Sequence, residues 1–334
     1  MNRWMKWMLS LVVAGFMAGT AACSTEAGAP EGTDTGTKSE TIEITDAHGT
    51  VSVPVRPETV VALDNRTFDT LADWDIALAA APKDVMHADS PYIADDSVLN
   101  VGNHREPNLE IIAQTDPDLV IVGQRFASFY DDIRALVPNA AVIDLNIDVS
   151  EEAGTPGENL ANGMKESTRT LGAIFEMQDE AEALVAEFER ALEDAKSAYN
   201  GTDTVMAVVV SGGDIGFAAP GHGRVWGPLY ELLDWTPALE IDQTSSDHMG
   251  DDVSVEAIAQ SNPDWLLVLD RDAATASDVG AVPAQDVISG APALQNTNAV
   301  RTQQVVYAPN RTYTTESIQT MIELFETLRT AFSQ

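Results

Sequence analysis

The feature that most restricts this chain is a repeated helix–strand unit. Asn108 to Val122 recurs 146 positions later as Ser254 to Val268, with seven of fifteen positions identical. Each copy has the same physical reading. Asn108 or Ser254 opens a short helix, because its side-chain oxygen can accept a free N–H of the first turn. Pro117 or Pro263 stops that helix, having no N–H to donate. A short apolar run follows and ends near Val122 or Val268, as a buried strand should. One copy is an ordinary helix–strand unit. Two copies so far apart predict two similar α/β lobes, each built on a central sheet.

The segments around the repeat fill in this scheme. Thr41 to Val53 alternates apolar and polar residues around an Asp46–Gly49 turn, so a small hairpin opens the folded body. Val60 to Leu63 reads as a buried strand, and Val205 to Val210 as the first strand of the second lobe. From Gly157 to Tyr199 there is no proline, and apolar residues recur at helical spacing. A break near Gly172 or Met177 divides this stretch into two helices, and the first is expected to bridge the lobes. The expected organisation is a signal segment over 1–22, a tether over 23–40, an N-terminal lobe over 41–156, a linking helix over 157–176 and a C-terminal lobe over 177–334.

The N-terminus reads as an export signal. Arg3 and Lys6 precede an apolar stretch from Met8 to Ala18, too short to span a bilayer comfortably. Thr20-Ala21-Ala22-Cys23 follows and resembles a lipobox, with Thr20 where leucine is usual. Cys23 is the sole cysteine, so the chain holds no internal disulfide and Cys23 is the expected lipidation site. Residues 24–40 are small, polar and acidic, and cannot bury enough apolar surface to fold alone. They are expected to tether a body to the extracytoplasmic face of the membrane.

The formal net charge is −35, from 18 basic and 53 acidic residues. Such a polyanion is not expected to bind nucleic acid or an anionic bilayer through its general surface. An anionic ligand would need a local cationic pocket. Arg125 and Arg271 each lie three positions past the end of a repeat strand, again 146 apart. Ligands of open α/β sheets bind outside the carboxyl ends of the strands, so both arginines stand at candidate cleft positions. Arg224 is a third, in the glycine-rich loop Ala219 to Gly227. Guanidinium groups stay charged, donate several hydrogen bonds and stack on aromatic faces, which suits a compact multiply charged anion.

These residues resemble the cobalamin- and ferric-siderophore-type substrate-binding proteins of ABC importers, and among them the catecholate binders. The likeness spans about residues 41–334. It rests on Asn100 to Asn103, the Pro107-Asn108-Leu109-Glu110 helix start, Gly123-Gln124-Arg125, Ser128 to Asp131, Gly223-Arg224, and Val268 to Arg271. The resemblance implies two lobes joined by a rigid helix, with a shallow cleft holding an arginine trio against a ferric tris-catecholate. Arg125, Arg224 and Arg271 match that trio, with Phe126, Trp226 and Arg311 beside them. It also implies direct Fe(III) ligands where a siderophore leaves iron sites free, and His248 and Tyr313 match these. Glu110 and Glu256, at the same position of the two repeats, match the acidic pair that docks on a permease dimer. A first-turn carboxylate equally stabilises the positive end of its own helix. No intrinsic cofactor is implied, and a monomer is expected.

Other classes fit less well. The chain lacks a Gly-x-Ser-x-Gly elbow, a phosphate-binding loop with lysine and a His-Glu-x-x-His motif, so an enzyme is not expected. A bare zinc or manganese ion would be repelled by clustered arginines. Haem or cobalamin, with Trp226, Trp235 and Tyr130 as wall residues, and a ferric hydroxamate remain open alternatives.

Overall fold

The computed structural model describes residues 40–242, 244–275 and 281–334. The signal segment, the tether and Cys23 lie outside the described residues.

The apolar runs form two sheets. In the N-terminal lobe five parallel strands run β5–β4–β3–β6–β7 across the sheet. They are β3 Val60–Ala62, β4 Ala80–Ala81, β5 Leu99–Asn100, β6 Leu119–Val122 and β7 Ala141–Asp144. Parallel strands buried on both faces need apolar residues at every position. In β6, accordingly, Leu119 and Ile121 enter one core while Val120 and Val122 enter the other. The hairpin β1 Thr41–Asp46 and β2 Gly49–Pro54 is antiparallel and packs Val51 and Val53 on the first of these cores.

The C-terminal lobe repeats the plan. Its strands are β8 Thr204–Ser211, β9 Asp214–Phe217, β10 Thr236–Pro237, β11 Trp265–Asp270 and β12 Val305–Tyr307. The parallel order is β10–β8–β11–β12, and β9 folds back antiparallel on β8. The second repeat strand runs two residues beyond Val268, to Asp270, so Arg271 follows it directly and opens a short helix. The helix starts also differ: Ser254 Oγ accepts the Ala257 N–H at 3.2 Å, whereas Asn108 makes no side-chain cap.

One helix, Pro156–Phe175, enters both lobes. Leu160, Ala161 and Met164 near its start are buried in the C-terminal core, while Leu171, Ile174 and Phe175 near its end are buried in the N-terminal core. It ends at Glu176, whose φ of +58° is left-handed, and the next helix is Gln178–Ala198. The break therefore falls at Glu176–Met177. Gly172 stays helical because it is a contact point: a Cβ there would stand 2.6 Å from that of Ala181. Among the described residues no helix is long and apolar enough to cross a membrane.

Gly157 shows how closely this linking helix seats on the C-terminal lobe. A Cβ at Gly157 would lie 2.6 Å from the Pro228 carbonyl oxygen and 2.9 Å from the Leu232 nitrogen. Overpacking against backbone costs about 1–3 kcal/mol, against about 1 kcal/mol returned by the better helix propensity of alanine. Gly157→Ala is thus expected to lower the urea midpoint. An equal or higher midpoint would show that the linking helix and the helix Gly227–Leu232 separate freely.

Candidate functional site

The sheets' carboxyl ends face a cavity of about 730 Å³ lined by both lobes. Arg125 reaches it from the short 3₁₀ helix Gln124–Phe129 after β6, and Arg271 from the helix Arg271–Thr275 after β11. Arg224 reaches it from the loop after β9, and Tyr313 from the turn Thr312–Thr315 after β12.

Tyr313 organises the guanidinium groups. Arg271 Nε donates to the Tyr313 hydroxyl oxygen at 3.1 Å and Nη1 donates to Ser211 Oγ at 3.0 Å. The guanidinium carbons of Arg224 and Arg271 lie 5.0 and 5.7 Å from the Tyr313 ring centroid, within cation–π range. Arg125 Nη2 crosses the lobes to the Tyr313 and Thr314 carbonyl oxygens, at 3.3 and 3.4 Å. The structure thus brings the three sequence-selected arginines together around Tyr313, Arg224 and Arg271 at its ring and Arg125 at its backbone carbonyl.

Beneath them lies Glu316, a buried carboxylate that the sequence did not single out. It forms ion pairs with Arg224 of the C-terminal lobe and, at 3.0 Å, with Arg66 of the N-terminal lobe. Gln124 Nε2 donates to it at 2.8 Å. Burial pushes its pKa up, but the charges of Arg224, Arg66 and Arg125 outweigh burial and hold it at about 2 against an ordinary 4.5. For Arg125 burial and then the charge of Arg224 pull the pKa down, the mark of crowded positive charge.

Two histidines stand beside the arginines on the cavity wall. His248 lines the cavity, as the resemblance implies, and so does His104, which the sequence reading missed. Burial first, then nearby arginines, lower both pKa values below 6.5. Both are therefore neutral at neutral pH, with a ring nitrogen able to accept a hydrogen bond or a metal. Arg105 also lines the cavity and was missed. Its signal was weak: it follows the Asn100–Asn103 segment and has no mate in the second repeat.

Three expected residues lie elsewhere. Phe126 is fully buried in an N-terminal core, since the tight turn that turns Arg125 outward turns its neighbour in. Trp226 is fully buried in the C-terminal core and anchors the Arg224 loop. Arg311 pairs with Asp69 and Glu323, each at 3.4 Å, outside the cavity lining. Trp235 and Tyr130, weighed as walls for a macrocycle, are likewise buried in the cores. Glu110 and Glu256 are exposed in the first turns of their helices and do not line the cavity. Among the described residues no group of three or more His, Cys, Asp or Glu is placed to hold a metal ion.

Two α/β lobes that share a single helix and face each other across a cleft define a two-lobed binding-protein architecture. The chain belongs to the periplasmic binding protein family, which residues 60–312 match. The petrobactin-binding protein YclQ of Bacillus subtilis is 27% identical over 298 residues, covering 88% of this chain and 87% of that one. The ferric-anguibactin-binding protein FatB of Vibrio anguillarum is 28% identical over 226 residues, 67% of each chain. The crystal structure of a TroA-like periplasmic binding protein from Xylanimonas cellulosilytica has a TM-score of 0.71 at 27% identity, covering 85% of this chain and 92% of the other.

Glu316 gives a direct test. Removing one partner of a buried ion pair strands the other charges, so Glu316→Gln is expected to lose about 3–5 kcal/mol at neutral pH. The folded pKa lies below the unfolded one, so the unfolded chain takes up the proton first. The carboxylate's stabilisation is complete above pH 4.5 and is lost as pH falls towards 2. Urea unfolding at a series of pH values should show the gap between wild type and variant narrowing over that range. A constant gap down to pH 2 would contradict the ion-pair account.

Proposed function

We propose that this protein captures a ferric siderophore outside the cell membrane and delivers it to an ABC-transporter permease. The observation that carries this reading is the convergence of Arg105, Arg125, Arg224 and Arg271 on one cavity in a chain of net charge −35. Four guanidiniums and neutral imidazoles make a site for a compact anion, and an anionic ferric catecholate has that character. The names of the relatives YclQ and FatB, a petrobactin-binding and a ferric-anguibactin-binding protein, support the cargo class. Tyr313, His248 and His104 stand where a chelate with open iron positions would meet a phenol oxygen and ring nitrogens, and we assign direct Fe(III) ligation to Tyr313 and His248. Iron enters as cargo, so the protein needs no cofactor and no catalytic group.

The remaining assignments follow from the same reading. Glu110 and Glu256, exposed on the two lobes, are the contacts for basic pockets of a permease dimer. Cys23 carries the lipid that holds the protein to the membrane, and residues 24–40 space it from the surface. Haem and cobalamin fit the cavity less well, because Trp226, Trp235 and Tyr130 are buried and Tyr313 is the one Phe, Tyr or Trp side chain among its described lining residues.

Fluorescence-quenching titrations with ferric catecholate, ferric hydroxamate, haem and cobalamin test the proposal. Binding of haem alone would overturn it. Arg125→Ala, Arg224→Ala and Arg271→Ala should each weaken a trianionic ferric tris-catecholate roughly thirtyfold or more, the loss expected from truncating one partner of a buried charge pair. A neutral ferric hydroxamate should lose far less. Equal losses for both ligands would remove the electrostatic basis of the reading.

A further inference from the structure

Arg224 sits in a loop that is folded tightly on itself. The Gly223 N–H donates to Ala219 O at 2.8 Å, the Gly227 N–H to Gly223 O at 2.6 Å, and the Gly221 N–H to Gly227 O at 2.9 Å. Both flanking glycines are packed without room for a side chain. A Cβ on Gly223 would lie 2.5 Å from the Ala218 carbonyl carbon, and one on Gly227 2.8 Å from the Gly221 and His222 backbone. Trp226, fully buried, pins the far end of the loop in the C-terminal core.

At the centre stands Val225, with φ of +63°. Its two neighbours are joined across it by a 2.7 Å hydrogen bond from the Trp226 N–H to the Arg224 carbonyl oxygen. This is a three-residue turn centred on a β-branched residue in left-handed conformation. An L side chain there crowds the following carbonyl oxygen, and branching at Cβ worsens the crowding. Such strain persists only where the surroundings over-determine it. The glycine contacts, the crossed hydrogen bonds, the Trp226 anchor and the packing of Val225 itself on the C-terminal core supply that frame.

We infer that Val225 is a positioning residue whose strained turn fixes the backbone of Arg224, so that the guanidinium is held against Glu316 and over Tyr313 before any ligand arrives. Inside the closed loop a residue with a Cβ is confined to the turn conformation. Glycine would enter it without strain and would also visit neighbouring conformations closed to other residues. The strain is therefore linked to order at the one arginine that touches both the buried carboxylate and the ring. The part of this inference that concerns ligand rests on the proposed function above. The part that concerns strain and order does not.

Val225→Gly and Val225→Ala, made in the full chain, separate these effects because both remove the same isopropyl group. At an ordinary position alanine is the more stabilising of the two. Here the glycine variant should have the higher urea midpoint. Amide hydrogen exchange at Trp226 and Gly227 should nevertheless be faster in the glycine variant than in the alanine variant. Its dissociation constant for ferric tris-catecholate should be roughly three- to tenfold weaker than that of the alanine variant, the cost of ordering one long side chain on binding. A residue that served stability alone would move midpoint and affinity in the same direction. The inference is overturned if alanine gives the higher midpoint, if exchange at Trp226 and Gly227 is no faster with glycine, or if the two variants bind the probe equally. If wild type fails to bind ferric tris-catecholate, the proposed cargo falls, and the midpoint order and exchange rates still decide the role of Val225.

Discussion

A single buried carboxylate holds the centre of this molecule. Glu316 is in the left-handed conformation, with φ of +48°, between the Thr312–Thr315 turn and the C-terminal helix Ile318–Phe332. From there it meets Arg66 of one lobe and Arg224 of the other, with Arg125 close enough to shift its pKa. A lone carboxylate would be too costly to bury, and so would an unpaired guanidinium cluster. Together they are tolerable, because each supplies the opposite charge that the others lost with their water. The arginines still outnumber the carboxylate, so the cavity above keeps a positive excess. The same anion that glues the lobes therefore sets the charge of the cleft.

The seam around Glu316 extends to further polar contacts that tie the lobes to each other. Asn65 Nδ2 donates to Thr315 O at 2.9 Å, Ser317 Oγ donates to Asp69 at 2.6 Å, and Gln319 Nε2 donates to Thr70 Oγ1 and Asp73 at 3.1 and 3.0 Å. These polar contacts cross from the first lobe to the start of the C-terminal helix. The linking helix Pro156–Phe175 crosses a second time, with one end in each core. Two crossings of different kinds, one apolar and one ionic, resist hinge opening more than a single flexible linker does. The rim is less constrained: His248 lies exposed there, on the Ser245–Asp251 loop.

What could be read in the sequence had local or repeated signals. The apolar strands, the helix stops at Pro117 and Pro263, and the two arginines placed by the repeat all announce themselves within a few residues. The interlobe seam does not. Arg66 and Glu316 are 250 positions apart, neither has a mate in the repeat, and each alone looks like a surface charge in an acidic chain. Phe126 and Trp226 were expected at the cleft beside arginines that stand one and two residues before them. Nearness in sequence is a poor guide in tight turns: Phe126 directly follows Arg125 and Trp226 lies two past Arg224, yet both rings are buried in the cores while the arginines line the cleft. In both loops the aromatic neighbour is the inward anchor that lets the arginine point outward. Arg311 failed for a related reason: nearness in sequence to Tyr313 placed it on the same turn but facing Asp69.

The global charge bears on how such a cleft could work. A chain of net charge −35 repels an anion at long range, yet that repulsion is screened beyond about 8 Å at physiological ionic strength. Inside the cleft the arginines are partly shielded from solvent and screened less, so attraction outlasts repulsion as salt rises. The arrangement favours dense, multiply charged anions over singly charged ones. Each additional ligand charge multiplies the short-range gain from the guanidiniums, while salt removes most of the added long-range penalty. On the proposed reading, a neutral macrocycle would meet the desolvation cost of the arginines without that return, so selection would rest on ligand charge more than on pocket size.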